Sequence, residues 1–228
     1  MSKITIAIDG PAGSGKSTLA KMVAERLGFT YLDTGAMYRA ITYLAIQNGI
    51  VDDEDAVNKF VLDLDVTLKF EDGVTRVFVN GEELTDYIRT PEVNSNVSEI
   101  ARMPAVRKEL VRMQKNIGKV GNLVAEGRDT TTVVFPDADL KIYLIATVDV
   151  RAERRHKEFL GKGVTIDIEE VKSNLRKRDG IDSGRKVSPL KKADNAIEVD
   201  TSALSVDEEF EILIENIKKK INFLTKVR

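Results

Sequence analysis

Residues 4–18 read ITIAIDGPAGSGKST and decide the fold that we expect for this chain. The apolar, β-branched run at residues 4–8 predicts a buried strand. Residues 10–17, GPAGSGKS, match the Walker A pattern G-x-x-x-x-G-K-[ST], and apolar residues at helical spacing follow from Leu19 to Leu27. A strand, a glycine loop and a helix in this order predict a nucleoside triphosphate site. The alternative is a glycine-rich turn that carries Lys-Ser by chance.

The composition of this loop follows from what it has to bind. Its backbone N–H groups must point at one anion, and side chains at Gly10, Gly13 and Gly15 would block that curvature. The start of the following helix adds free N–H groups and the positive end of its dipole. We expect Lys16 to contact the outer phosphates of ATP and Ser17 to be a ligand of Mg²⁺. The residues expected to bind ATP are Gly10, Pro11, Ala12, Gly13, Ser14, Gly15, Lys16, Ser17 and Thr18.

The bulk composition excludes several classes of site and partner. The chain has 228 residues, 42% of them hydrophobic and 32% charged, which is typical of a globular protein with one main core. A net charge of −2 provides no general attraction to nucleic acids or acidic membranes, so we expect neither as a partner. Cysteine is absent and His156 is the single histidine, which excludes thiol chemistry and a histidine-rich metal site. Because we find no cationic leader and no membrane-spanning apolar run, we expect a cytoplasmic protein.

Strand and helix patterns alternate along the rest of the chain. Short apolar runs predict strands, with amphipathic helices between them, at residues 29–32, 122–126, 140–145 and 196–199. Alternating apolar residues with turn signals at 72–73 (Asp-Gly) and 80–81 (Asn-Gly) predict a small antiparallel insert at residues 65–89. An apolar stripe from Phe210 to Leu224 predicts a covering helix. The expected fold class is therefore α/β, a three-layer P-loop NTPase fold with a parallel sheet and a small antiparallel β insert.

The most cationic part of the chain lies between the last two predicted strands. We expect it to form two helices with flexible turns at residues 161–163 and 180–184. A hinged helical lid that closes over phosphates accounts for the clustered charge, and a solvated helical pair is the alternative. Nucleic-acid binding is a third reading, but beyond Phe159 no aromatic residues interleave with the charges. The basic residues are Arg151, Arg154, Arg155, Lys157, Lys162, Arg176, Lys177, Arg178, Arg185 and Lys186.

Charged residues also follow the predicted strands, at the edge where parallel α/β sheets bind their ligands. Arg39 lies one turn into the helix after the second strand, and Arg128 with Asp129 follows the central strand. In the helix predicted from residue 104, we expect Arg107 on the outward face. A switch GTPase would need an Asn-Lys-x-Asp loop, which the Asn-Lys pair at 58–59 does not supply. Arginines around a P-loop favour phosphoryl transfer to an acceptor, which depends on positioning and charge stabilisation.

Several stretches in one order span nearly the whole chain. They are IDGPAGSGKST at residues 8–18, LDTGAMYR at 32–39, IRTPEV at 88–93, EGRD at 126–129 with VVFPDA at 133–138, RAERR at 151–155, and RD at 178–179 followed by Asp182, Arg185 and Pro189. Together they resemble the bacterial cytidylate kinases of the nucleoside monophosphate (NMP) kinase family. The resemblance implies transfer of the γ-phosphate of ATP to CMP or dCMP with Mg²⁺, giving ADP and the diphosphate. The sequence leaves open whether UMP is a further, poor substrate.

The resemblance also implies a division of the chain and roles for its residues. It implies a core at residues 1–64 and 104–150, completed by 191–228, with an NMP-binding insert region at 65–103 and a lid at 151–190. The implied catalytic residues are Lys16, Arg128, Arg178 and Arg185. The residues implied at the acceptor sugar and phosphate are Thr34, Tyr38, Arg39 and Arg128. The residues implied to close from the lid are Arg178, Asp182 and Arg185.

The cytosine edge is implied to face Ser98, Arg107 and Asp129. These types fit the base, because a carboxylate accepts from the amino group of cytosine while Ser and Arg donate to its ring acceptors. A kinase of the same fold with another acceptor, such as another nucleotide or shikimate, is the nearest alternative. Shikimate has no amino donor for Asp129. A regulatory module that binds ATP without turnover is a second alternative.

The chain departs from the family pattern at three positions. Thr131 stands where glycine is usual, Ile181 replaces a lid residue that is often arginine, and Glu126 replaces a common aspartate. We expect these differences to alter rate or local geometry rather than the class of reaction. Because no large exposed apolar stripe requires a dimer, we expect a monomer.

Overall fold

The computed structural model describes residues 3–71, 73–161 and 163–227 of the chain, with side chains up to residue 220. The predicted turn residue Asp72, the basic residue Lys162 and the predicted apolar side chains of Ile221 and Leu224 lie outside this description. Within it, no helix combines the length and apolar character that crossing a membrane requires.

Strands and helices alternate along the described chain. The strands are β1 (Thr5–Asp9), β2 (Thr30–Asp33), β3 (Val66–Glu71), β4 (Val74–Val79), β5 (Glu82–Glu83), β6 (Leu123–Gly127), β7 (Leu140–Ile145) and β8 (Ile197–Asp200). The helices are α1 (Lys16–Leu27), α2 (Thr34–Gln47), α3 (Glu54–Phe60), α4 (Pro91–Arg102), α5 (Pro104–Ile117), α6 (Val148–Gly161), α7 (Ile168–Gly184) and α8 (Val206–Val227). A short 3₁₀ turn covers Val61–Asp63 and a single π-helical turn covers Thr130–Val134.

The main sheet fixes where the functional residues lie. In the described residues it has five parallel strands in the order β2-β6-β1-β7-β8, and β3-β4-β5 form a separate antiparallel sheet. Asp9 at the end of β1 is in register with Gly127 of β6, and Asp33 of β2 is in register with Glu126. The carboxyl ends of β1, β2 and β6 therefore meet at one edge of the sheet. The predicted α/β fold and its antiparallel insert are confirmed.

Helices cover both faces of the parallel sheet. On one face, Leu19 and Val23 of α1 pack with Leu213 and Ile217 of α8. On the other face, apolar residues of α2, α4 and α5 form a core that includes Val77 and other residues of the antiparallel sheet. The insert therefore shares a core with α2 and is not an independent unit.

Several helices end at residue types that are typical of helix caps. The Asp33 carboxylate accepts a hydrogen bond from the Ala36 N–H at 2.9 Å and caps α2, and Thr90 caps α4 directly before Pro91. Gly28 ends α1 in the left-handed conformation with φ of 64°. Because glycine adopts this conformation without steric strain, the residue type and the helix end agree.

The prediction of flexible turns at residues 180–184 is wrong. α7 continues through Gly180 and ends at Gly184. Glycine costs about 1 kcal/mol in a helix relative to alanine, but contacts with the rest of the fold compensate for it. Arg178 and Asp182, one turn apart, are both buried, and the Leu190 N–H donates to the Asp182 carbonyl at 2.7 Å.

Asp9 links the end of β1 to the π-helical turn. Its Oδ1 accepts hydrogen bonds from the N–H and Oγ1 of Thr130 at 2.9 and 2.6 Å, and its Oδ2 accepts from the N–H and Oγ1 of Thr131 at 2.7 and 2.6 Å. The carboxylate is fully buried, and burial raises its pKa while these hydrogen bonds act in the opposite direction. Thr131, one of the three residues that depart from the family pattern, therefore has a defined partner.

Asp9→Ala is expected to lower the free energy of unfolding by about 3 kcal/mol, because two buried backbone N–H groups would lose their acceptor. Urea denaturation followed by far-ultraviolet circular dichroism measures this change. Asp65→Ala is the matched control, since the Asp65 side chain is exposed, and it should shift stability by less than about 0.5 kcal/mol. A loss below about 1 kcal/mol in Asp9→Ala would contradict the assigned role.

Candidate active site

A cavity of about 340 Å³ opens at the carboxyl edge of the parallel sheet. From the loop of residues 10–18, the wall includes Ala12, Gly13, Gly15, Lys16, Ser17 and Thr18. The predicted acceptor and lid residues on the same wall are Thr34, Tyr38, Arg39, Ser98, Arg107, Arg128, Asp129, Arg178, Asp182 and Arg185. The structure thus brings together residues that are far apart in the sequence, and their roles stay predictions.

Gly10, Pro11 and Ser14 of the loop lie behind this wall rather than on it. A Cβ atom at Gly10 would come within 2.2 Å of the Leu144 carbonyl oxygen, so this glycine permits close packing of the loop against β7. The Pro11 carbonyl accepts a hydrogen bond from Lys16 Nζ at 2.8 Å. These residues shape the loop from behind, while backbone at the remaining positions faces the cavity.

The Lys16 ammonium group is buried at the floor of the cavity. Burial, reinforced by the Arg128 guanidinium, lowers its pKa to about 7. An anion in the cavity would favour the charged form and raise this pKa again. The geometry therefore suits a phosphate group beside Lys16.

Ser17 and Glu126 bring a hydroxyl and a carboxylate together beside the glycine loop. The Ser17 hydroxyl donates to Glu126 Oε1 at 2.5 Å, and the Tyr31 hydroxyl donates to the same atom at 3.1 Å. Burial and the nearby Asp33 carboxylate raise the pKa of Glu126. A hydroxyl and a carboxylate beside phosphate oxygens fit Mg²⁺, which takes few protein ligands and retains water. The longer Glu126 side chain, where aspartate is common, reaches Ser17 directly.

Arg128 connects the core to α7. Its Nε donates to Asp182 Oδ2 at 2.9 Å, and Asp182 Oδ1 lies 3.8 Å from Arg185 Nη1. The Asp182 carboxylate is thus engaged by two guanidinium groups. A ligand sugar that binds to Asp182 has to share it with Arg128.

The expectation that Arg107 points outward is wrong. Its side chain is buried, donates to the Ala101 carbonyl at 3.0 Å and forms an ion pair with Asp129. The guanidinium carbon lies 5.4 Å from the centre of the Tyr38 ring. A charged residue can face inward on a helix when a buried carboxylate neutralises it, and Asp129 does so here.

Asp129 and Ser98 complete this end of the cavity. Asp129 Oδ1 lies 3.9 Å from Arg185 Nη2, so the carboxylate sits between two arginines, and Ser98 is buried on α4. Two arginines beside one carboxylate and one hydroxyl offer both donors and acceptors to a polar ring. This set can read the edge of a base.

Thr34 has a structural contact of its own. Its hydroxyl donates to the Glu126 carbonyl at 2.7 Å across β2 and β6. The hydroxyl oxygen keeps a lone pair toward the cavity that it lines. It fastens α2 to β6 and can still accept a hydrogen bond from a ligand.

A cluster of arginines lies between α2 and the α6–α7 hairpin. Burial, and then Arg178, Arg89 and Arg155 in that order, lower the pKa of Arg39 well below its usual value. Burial and Arg128 lower the pKa of Arg178 to about 10. Like charges at this density suit a polyanion, since a bound anion would relieve their repulsion.

The structure adds residues to which the sequence had assigned no separate role. Arg151 donates to the Ala12 carbonyl at 3.1 Å and pairs with Asp179 at 2.7 Å, so it ties the glycine loop to α7. Arg154 pairs with the buried Glu209 of α8 at 2.7 Å. The RAERR motif signalled the arginines, but no local pattern signalled their distant partners.

Comparisons with known proteins identify the family of this chain. The sequence profile of the family described as Cytidylate kinase matches residues 6–219. A cytidylate kinase from Anoxybacillus flavithermus (strain DSM 21510 / WK1) is 50% identical over 207 residues, which cover 90% of this chain and 92% of that protein. A cytidylate kinase from Oceanobacillus iheyensis is 49% identical over 218 residues, which cover 95% of each chain.

A solved structure supports the fold alone. A gluconokinase from Sinorhizobium meliloti 1021 aligns with a TM-score of 0.53, covering 99% of this chain and 98% of that chain at 13% identity. The assignment to a family rests on sequence instead. The family profile spans most of the chain, and the relatives match the chain nearly end to end. The chain belongs to the cytidylate kinase family.

Proposed function

We propose that this protein is an NMP kinase that transfers the γ-phosphate of ATP to CMP or dCMP. A phosphate oxygen of the acceptor bonds to the γ-phosphorus while the bond from that phosphorus to the β–γ bridging oxygen breaks, which gives ADP and CDP or dCDP. The observation that carries the proposal is the single cavity that joins the Lys16 loop to the Arg107–Asp129 pair. Family membership supports the same reaction.

The donor end of the cavity is proposed to hold the phosphates of ATP. Lys16 and the loop N–H groups would bind the phosphate oxygens, and Arg128 and Arg178 would stabilise the charge that develops during transfer. Ser17 and Glu126 would hold Mg²⁺, which when bound neutralises charge on the phosphate oxygens.

The acceptor end is proposed to select cytosine. Asp129 would accept from the amino group of the base, and Arg107 with Ser98 would donate to its ring acceptors. Arg39 and Arg128, with Thr34 and Tyr38, would contact the phosphate and sugar of the acceptor.

The divisions of the chain are proposed from the same contacts. Residues 65–103 would form the acceptor-binding region, residues 151–190 the lid, and the remainder the core. Asp182 and Arg185, with Arg178, would close from the lid over the phosphates of ATP and of the acceptor. This closure would exclude water from the phosphates. We further propose that the protein acts as a monomer without a nucleic-acid partner.

CMP and dCMP are expected to support ADP release at much higher kcat/KM than UMP, because uracil reverses the donor and acceptor pattern that Asp129 and Arg107 read. They should also exceed AMP, because adenine is a larger ring that lacks the carbonyl acceptor of cytosine. A coupled assay of ADP release with CMP, dCMP, UMP and AMP measures this preference. Turnover with AMP and none with CMP would contradict the proposal. ATP binding without release of ADP for any acceptor would instead favour a regulatory module.

Arg178→Ala is expected to lower kcat by roughly 10²–10³, because a preorganised guanidinium would be lost from the transferred phosphate. Steady-state kinetics with CMP measures the change. Arg176→Ala is the matched control, since Arg176 lies on the exposed face of the same helix and should leave kcat within about twofold. Equal effects of the two substitutions would contradict a catalytic role for Arg178.

Asp129→Ala is expected to raise KM for CMP about tenfold or more, because the amino group of the base would lose its acceptor, while KM for ATP changes little. Initial rates with each substrate varied in turn provide both constants. The exposed Asp137 offers a control through Asp137→Ala, which should alter neither constant. An equal increase for CMP and ATP would refute the base-reading role.

A further inference from the structure

Asn94 is a buried residue of α4 that joins side chains from separate elements. Its side chain is 5% exposed, and its Oδ1 accepts hydrogen bonds from Arg39 Nη1 and, at 2.8 Å, from Arg155 Nη2. Its Nδ2 donates to the Arg89 carbonyl at 3.4 Å. One amide therefore connects α2, the segment before α4, and the α6–α7 hairpin.

The charge of this acceptor distinguishes it from the other partners of the cluster. Arg89 pairs with Asp33 at 2.8 Å and Arg155 pairs with Glu158 at 2.7 Å, so each of these guanidinium groups has a carboxylate partner. The oxygen of Asn94, by contrast, satisfies donors of Arg39 and Arg155 without neutralising either. Its contact with Arg39 therefore leaves the positive charge of that guanidinium in place.

Both groups that Oδ1 binds belong to functional regions. Arg39 lines the main cavity on α2, and Arg155 lines it from α6. A buried asparagine with a purely structural role commonly bonds to nearby backbone, whereas this oxygen binds two guanidinium groups that lie 55 and 61 residues away. Asn94 therefore links the orientation of the Arg39 side chain to the position of the α6–α7 hairpin.

We propose that Asn94 is a positioning residue for the acceptor phosphate. This role rests on the proposed function above. It holds the Arg39 guanidinium against Arg155 through an uncharged oxygen. The hairpin and α2 are thereby aligned, and the positive charge stays free for the phosphate of the acceptor nucleotide. A carboxylate at this position would occupy the same donors and compete with that phosphate.

The test is Asn94→Asp, which has nearly the same shape and adds one negative charge. KM for CMP is expected to rise about tenfold or more, because the introduced carboxylate forms charge-assisted hydrogen bonds with Arg39 and Arg155. KM for ATP should stay within about twofold, since the donor loop is not altered. Asn94→Ser, which retains a neutral acceptor, should raise KM for CMP less than about fivefold.

Asn96→Asp is the matched control, because it makes the same change two residues away, where the Asn96 amide donates to the Glu92 carbonyl. It should leave both KM values unchanged. Urea midpoints establish that the variants are folded before their kinetics are compared.

Three outcomes would overturn the proposal about Asn94. They are equal increases of KM for CMP in Asn94→Asp and Asn96→Asp, equal increases for CMP and ATP in Asn94→Asp, and an effect of Asn94→Ser as large as that of Asn94→Asp. If the unaltered protein shows no turnover with CMP, the proposed function itself fails, and this proposal fails with it. Wild-type kinetics therefore separate the two failures.

Discussion

Repulsion among buried positive charges is the constraint on which the arrangement of this molecule depends. Lys16, Arg39 and Arg178 share one cavity wall, and in each case burial and a neighbouring guanidinium lower the pKa. The fold keeps these groups together by supplying neutral acceptors, such as the Pro11 carbonyl and the Asn94 amide. Charge that is costly in the free protein becomes favourable when a polyanion is present. Folding thus holds the charges close together, and relief of their repulsion contributes to the free energy of binding.

The parallel register of the sheet makes this concentration of charge possible. β1, β2 and β6 end at the same edge, so the glycine loop, the start of α2 and the Arg128–Asp129 pair converge without long connections. The α6–α7 hairpin closes the remaining side through the Arg128–Asp182 ion pair and the hydrogen bond from Arg151 to the Ala12 carbonyl. Polar contacts between elements therefore complete a site that the sheet alone leaves open.

Local patterns in the sequence predicted most of the fold, because strand alternation, glycine turns and the loop of residues 10–17 depend on neighbouring residues. They did not predict that Arg107 faces inward, since its partner Asp129 lies 22 residues away and the charge alone indicates solvent. They failed at Gly180 for a similar reason, because the contacts that hold α7 together come from the rest of the fold. The connection of Asn94 to Arg155 also depends on tertiary packing and has no local signature.

The four hydrogen bonds of Asp9 have a consequence for how such a protein diverges. The same residue ends the strand that leads into the glycine loop and fastens Thr130 and Thr131, which directly follow Asp129. The distance between the glycine loop and Asp129 thus depends on one side chain in the centre of the sheet. Substitutions on α4 and α5 can alter the wall of the cavity during evolution, while this distance stays the same.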